Sequence, residues 1–217
     1  MIIPSREPWN ENCYLVHHIS SGEGALIDPG GSEELIIQSV EENGVQLRHI
    51  MLTHAHHDHL GAVTAVCRRF GLPCWLHKDD ARLLRHAPMY ALLFAGRKIE
   101  PPEPVKIFES QPVLNLGAQS IKILHTPGHT AGSICISFGD FIFTGDTLLY
   151  QHIGRTDLPG GNAVQLAATV GQLVENLPAE IILFPGHSRA WTIREAREWW
   201  KNVGSAPPQL TEFGAKG

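Results

Sequence analysis

The sequence predicts an α/β protein in four layers, with two facing mixed sheets and helices outside, folded as a single domain over residues 1–217. Three observations carry that expectation. Short β-type runs alternate with helical stretches along the chain. They fall into two sets, each of strands with helices, and no break in composition separates the sets. Hydrophobic residues make up 43% of the 217 and charged residues 18%, enough for one sizeable core and too little charge for disorder.

Cys13–His17 and Ala25–Asp28 read as consecutive strands, closed by the turn Pro29-Gly30-Gly31. Ser32 is expected to cap a helix running to about Asn43, because Glu33 and Glu34 suit its positive end and Gly44 stops it. His49–Thr53 is a strand and Leu60–Phe70 a helix stopped by Gly71. Pro73–Leu76 is a short strand, followed by a helix near Asp79–Arg85. Ala95–Pro104, rich in proline and charge, reads as a surface loop, and residues 87–103 are candidates for a lid. Ser120–His125, Ser133–Phe138 and Phe141–Thr144 follow as strands with glycine at the corners. A helix at Ala163–Glu175 leads into the apolar strand Ile181–Phe184, and a last helix, Ile193–Trp200, precedes a Pro- and Gly-rich tail expected to fray.

Composition excludes several classes of function. A net charge of −5, with no basic run longer than Arg68-Arg69, lacks the footprint of a nucleic-acid binder. No apolar run reaches the roughly 18 residues of a membrane span. The first nine residues show no basic segment followed by an apolar one, so no cleaved leader is expected and the chain is placed in the cytoplasm. Cys13, Cys67, Cys74 and Cys135 form no C-x-x-C pair and are expected as reduced core residues.

What stands out is the distribution of the 13 histidines. Thr53-His54-Ala55-His56-His57-Asp58-His59 follows directly on a strand, with His54 and His56 sharing a side if the extended geometry persists and Asp58 and His59 opening the next helix. Three further segments place a ligand-type residue in a glycine-containing turn after an apolar strand: His125-Thr126-Pro127-Gly128-His129, Thr144-Gly145-Asp146-Thr147 and Phe184-Pro185-Gly186-His187. Together they supply His54, His56, Asp58, His59, His129, Asp146 and His187, a set that suits two zinc-like cations and exceeds what one needs.

This pattern resembles the metallo-β-lactamase superfamily, whose H-x-H-x-D-H signature stands here as His54-Ala55-His56-His57-Asp58-His59. The resemblance covers most of the chain and implies the αββα metallo-β-lactamase fold. By position it implies His54, His56 and His129 on one metal, Asp58, His59 and His187 on the other, and Asp146 bridging. Two zinc ions are expected, with iron or manganese as alternatives at either site. Asp146 is unlike the true β-lactamases, and the stretch Ile153–Gly161 is similar to small bacterial glyoxalase II-like (hydroxyacylglutathione hydrolase-like) thioesterases. There Arg155 matches a basic residue that holds a glutathione carboxylate. Only 30 residues follow His187, which predicts that the helical glutathione-clamping domain of glyoxalase II is absent.

The resemblance implies hydrolysis of a small-molecule thioester, S-lactoylglutathione or a related acyl thioester, with Asp58 both metal ligand and orienter of the attacking water. Three alternatives remain at this stage: a mononuclear-iron persulfide dioxygenase, whose loop also carries an Arg-Thr-Asp like Arg155-Thr156-Asp157; a lactonase; and a metal-binding protein without turnover. Metal content separates the dioxygenase and the scaffold from a two-metal hydrolase. Among the other polar residues, His57 is expected to turn away from the metals with a solvated or hydrogen-bonded ring. His125 reads as a core histidine, and Arg155 has an ion pair with Asp157 as its structural alternative. Tyr150 reads as a core aromatic, Trp199 and Trp200 as core and rim, and Thr53 and Thr130 as supports for the ligands.

Overall fold

The computed structural model describes residues 1–4 and 10–203. The expected fraying of the tail and most of the leader region lie outside them. Strands β1 (Ile2–Pro4), β2 (Asn12–His17), β3 (Glu23–Ile27), β4 (Gln46–Met51), β5 (Cys74–His77) and β6 (Val105–Phe108) form one sheet in chain order. Its first three strands pair antiparallel and β3 to β6 pair parallel. The other sheet takes β7 (Leu114–Leu116), β8 (Gln119–His125), β9 (Ile134–Ser137) and β10 (Phe141–Gly145). A two-stranded ribbon, β11 (Leu148–Leu149) and β12 (His152–Ile153), stands apart, and β13 (Ile182–Pro185) and β14 (Trp191–Thr192) complete the second sheet in the order 14-13-10-9-8-7.

The side-chain alternation of the strands divides the core into layers. Cys13, Leu15 and Leu26 point to one face of the first sheet and pack with helices α1 (Glu33–Glu42), α2 (Val63–Phe70) and α3 (Ala81–Ala95). Tyr14, Ala25, Ile27 and Met51 point to the opposite face and meet Ile121, Ile123, Ile134, Ile136 and Phe143 of the second sheet. Cys135, Ile142 and Leu183 then face outward onto α4 (Ala163–Asn176) and α5 (Ile193–Val203). Burial on both faces explains runs such as Ile134-Cys135-Ile136, in which no position is polar. Leu26 is fully buried, so Leu26→Ala should cost about 2–5 kcal/mol of unfolding free energy, measurable by denaturant titration.

Several expectations need correction. Ser32 precedes α1 but makes no side-chain capping bond and adopts φ 57°. The second helix starts at Val63, and Asp58 and His59 belong to a separate 3-10 turn, His57–His59. The third helix does not stop at Arg85: after a 3-10 turn at Lys78–Asp80, α3 runs to Ala95 through Pro88, which lacks the N–H a helix interior uses. The first half of the proposed lid, residues 87–95, is therefore helix. Strands β1, β6, β7, β11, β12 and β14 were not foreseen, and α5 extends to Val203. Among the described residues no helix is long and apolar enough to cross a membrane.

Candidate metal centre

Every ligand-type turn follows the C-terminal end of a strand: β4, β8, β10 or β13. Strands β8 and β10 are both antiparallel to β9, and β13 is parallel to β10, so the three ends in the second sheet point the same way. The first sheet adds the turn after β4, and the two sheets present their turns to each other across one edge. Glycine is required at two of the corners. A Cβ on Gly128 (φ 135°) would lie 2.3 Å from the Leu166 backbone nitrogen, and one on Gly186 would lie 2.4 Å from Asp146 Oδ1.

All seven residues singled out by the motifs come together, none more than 6% exposed. His129 Nε2 stands 2.8 Å from His56 Nδ1 and 3.2 Å from His54 Nε2. His187 Nε2 stands 3.1 Å from Asp58 Oδ2, and His59 Nε2 is 3.6 Å from the same oxygen. Asp146 lies between the two groups, its Oδ2 3.7 Å from both His129 Nε2 and His187 Nε2 and its Oδ1 3.6 Å from His59 Nε2.

This donor set fits divalent cations. Three imidazole nitrogens that face one another cannot all be satisfied by shared protons, yet all can point a lone pair at one ion. Asp58 Oδ1, Asp146 Oδ1 and His59 Nε2 are buried without a hydrogen-bond partner among the described residues, which is costly unless a positive charge sits among them.

The outward nitrogens of His54, His129 and His187 are held, which fixes how these rings present their inner ones. His129 Nδ1 donates to the Arg155 carbonyl at 2.8 Å, and His187 Nδ1 to that of Asn10 at 3.3 Å. The Thr53 hydroxyl donates to Asp28 Oδ2 at 2.6 Å and so accepts from His54 Nδ1 at 3.0 Å. Two carboxylates that the motifs did not reveal hold the turns. Asp28 accepts from the Thr53 backbone N–H at 2.7 Å and lies 3.1 Å from His59 Nδ1. Asp80 accepts from Ala55 N at 2.9 Å, the Thr130 hydroxyl at 2.8 Å and Gly132 N at 2.7 Å, joining the His54–His56 turn to the His129 turn. Asp28 had a weak signal, an aspartate at a strand end before Pro-Gly-Gly. Asp80 had none.

Electrostatics divide the histidines. Burial, with neighbouring imidazoles adding to it, drives His54 and His56 well below the ordinary range, and burial lowers His129 although Asp146 opposes it. Burial would lower His59 and His187 too, but Asp58, Asp28 and Asp146 raise His59 well above the ordinary value, and Asp146 and Asp58 raise His187. Asp58 is correspondingly held far below the carboxylate range by His59 and His187, against the pull of burial. Protons and a cation compete for the same nitrogens. A raised histidine keeps its proton as pH falls toward and below neutrality, so affinity at the Asp58–His59–His187 group should drop first on acidification. The His54–His56–His129 group, already neutral, should hold its cation to lower pH. Metal stoichiometry measured from pH 8 to 5 checks this, with loss of one equivalent before the other as the expected result.

The remaining candidates sort as follows. The Arg155 guanidinium forms a two-pronged pair with Asp157, Nε and Nη2 each donating at 2.7 Å, so the structural alternative is the one realised in this conformation. His57 is buried rather than solvated, its ring 6.2 Å from that of Phe94 on α3. His125 is not a core histidine: its side chain is 42% exposed, stacks on His77 at 4.2 Å and donates to the Ala131 carbonyl. Tyr150 packs edge-on to Trp191 and under the Arg189 guanidinium, and Trp199 packs against Trp191.

The fold gathers a buried set of metal-ligating side chains, and the family model of the metallo-β-lactamase superfamily matches residues 6–187. The chain belongs to that superfamily. It is 34% identical over 193 residues to the hydroxyacylglutathione hydrolase GloC of Haemophilus influenzae, covering 87% of this chain and 91% of that one. Among solved structures it is similar to the B3 metallo-β-lactamase BLEG-1 (TM-score 0.81, 33% identity, 91% of this chain and 96% of that one). It is equally similar to TTHA1623 in a di-iron-bound form (TM-score 0.80, 34% identity, 90% and 96%).

Proposed function

We propose that the protein is a metal-dependent thioesterase of the glyoxalase II type, cleaving S-lactoylglutathione or a related acyl thioester. The observation that carries this reading is the complete set of seven buried donors with Asp146 between the two groups, in a chain similar to a hydroxyacylglutathione hydrolase. When bound, two cations supply a Lewis acid for the carbonyl oxygen and bring the pKa of water toward about 7. His54, His56 and His129 would hold one cation, Asp58, His59 and His187 the other, and Asp146 both. Zinc is the expected metal; iron is the alternative that the di-iron neighbour supports.

Asp58 does more than hold. Its Oδ2 faces His187 while its buried Oδ1 has no hydrogen-bond partner, which gives an ionised oxygen to accept a proton of the attacking water and orient it. Burial of all seven donors, none more than 6% exposed, keeps bulk water from them. The leaving group is a thiolate, whose conjugate acid has a pKa near 8.5, so the chain needs no general acid to protonate it. Cys13, Cys67, Cys74 and Cys135 are all buried free thiols, which supports a working place in a reducing compartment such as the cytoplasm.

The test is thiol release from S-lactoylglutathione by metal-loaded protein, against a metal-stripped control. Metal-dependent release with KM between about 1 μM and 1 mM is the expected result. No release from protein that verifiably holds two equivalents of metal would overturn the reading. One equivalent of iron with oxygen consumption on glutathione persulfide would replace it by the dioxygenase.

A further inference from the structure

A groove of about 350 Å³ opens between α3 and the turns at 130–132 and 158–160, large enough for part of a small-molecule ligand. Its floor adjoins the metal centre: Asp80, on its wall, bonds Ala55 and Thr130, and Gly160 lies against Thr130, the residue after His129. Along α3 the side chains Arg82, His86, Tyr90 and Phe94 recur every four residues and so share one face of the helix. The ring of Tyr90 is 6.2 Å from that of His86 and stacks on Phe94 at 5.7 Å, and Phe94 is 6.2 Å from His57 at the ligand turn. The stripe runs from His57, beside the ligand turn, to a guanidinium.

That guanidinium is uncommitted. The Arg82 side chain makes no hydrogen bond or ion pair with any described residue, the residue's carbonyl alone accepting from His86 Nδ1 at 2.8 Å, whereas the fork of Arg155 is engaged by Asp157. Asp79 lines the same groove; its Oδ2 lies 3.7 Å from His77 Nδ1 and 3.9 Å from His125 Nε2, and it is not paired with Arg82 three residues away on the chain. A separated cation and anion on one wall complement a group that carries both charges.

We infer that this groove is the subsite for the thiol-carrier end of the substrate, and that it takes a peptidyl thiol ending in a zwitterionic amino acid. Arg82 meets its carboxylate, Asp79 its ammonium, and Tyr90 and Phe94 line the path to the scissile bond. The assignment rests on the thioesterase reading and makes α3 the clamp. A tripeptide spans about 10 Å when extended, which covers two turns of the stripe with the long Arg82 side chain reaching for the rest.

The experiment compares S-lactoylglutathione with the lactoyl thioester of N-acetylcysteamine, whose carrier has no charged end, in wild type, Arg82→Glu and Arg85→Glu. Arg85 is an exposed arginine of the same helix that does not line the groove, so its variant controls for net charge. In Arg82→Glu the ratio of kcat/KM for the glutathione ester to that for the neutral ester should fall about tenfold through KM. In Arg85→Glu the ratio should stay at the wild-type value. Calorimetric titration with S-methylglutathione, which cannot be hydrolysed, should show Kd rising about tenfold in Arg82→Glu alone. An unchanged ratio and Kd in Arg82→Glu would overturn the subsite while leaving the thioesterase standing. If neither ester is cleaved by metal-loaded protein, the thioesterase falls, and the S-methylglutathione titration still decides the groove: binding that Arg82→Glu does not weaken, or no binding, rejects it.

Discussion

Asp58→Asn should lower kcat by about 10²–10⁴-fold while the protein keeps most of its metal. The amide has the shape of the carboxylate and retains a carbonyl oxygen that can face the cation held with His59 and His187. What it loses is the negative charge and the ability to take a proton from water. The wild-type carboxyl stays ionised across the accessible pH range because two imidazoles stand on it. Metal analysis and kcat on the same preparation separate the two roles. Retained metal with lost turnover assigns Asp58 the orienting role, and near-normal turnover would remove it. Loss of both would reduce Asp58 to a ligand.

Asp80→Ala should be the most damaging change outside the donor set. The carboxylate is buried and accepts three hydrogen bonds, two from backbone N–H groups and one from a hydroxyl. Deleting it leaves those donors unsatisfied at about 1–3 kcal/mol each, and removes a support whose loss typically weakens metal affinity about 10–100-fold. The His54–His56–His129 group should lose its cation preferentially, since Ala55 and Thr130 belong to those turns, while the Asp58 group is less affected. Asp80→Asn restores an acceptor oxygen and should recover part of the affinity. Competition of each variant with a chelator, read beside its thermal midpoint, distinguishes loosening of one centre from general unfolding.

The layered fold and the donor set were legible in the sequence for a shared reason. Strands buried on both faces must be continuously apolar, and donors that project from strand ends must sit in glycine-bearing turns, so both leave local patterns. Ile134–Ile136 and the run from Thr53 to His59 show this. What escaped is defined by distant partners. Asp28 acts on a residue 25 positions away, and Asp80 on residues 25, 50 and 52 positions away, so Asp28 leaves only a weak local signal and Asp80 none. Val105–Phe108 becomes a strand because β5 offers it an edge, although it follows a proline-rich segment. Helix α3 continues through Pro88 because its inner face, Leu83, Leu84 and Ala87, packs into the first core cluster, which outweighs the missing backbone bond.

The separation of the donors along the chain has a consequence for biosynthesis. Asp58 and His187 touch across 129 residues, and the Tyr14 hydroxyl donates to the Pro185 carbonyl across 171. Neither contact can form while the ribosome still holds the segment around position 185. A chain emerging N-terminal end first can assemble the His54–His56–His129 group some fifty residues earlier than the second centre, before the strand that carries His187 has joined the sheet. Such long-range closures come late in folding because their entropy is lost before their contacts are gained. On the two-cation reading, the site completed by His187 is therefore the last to form.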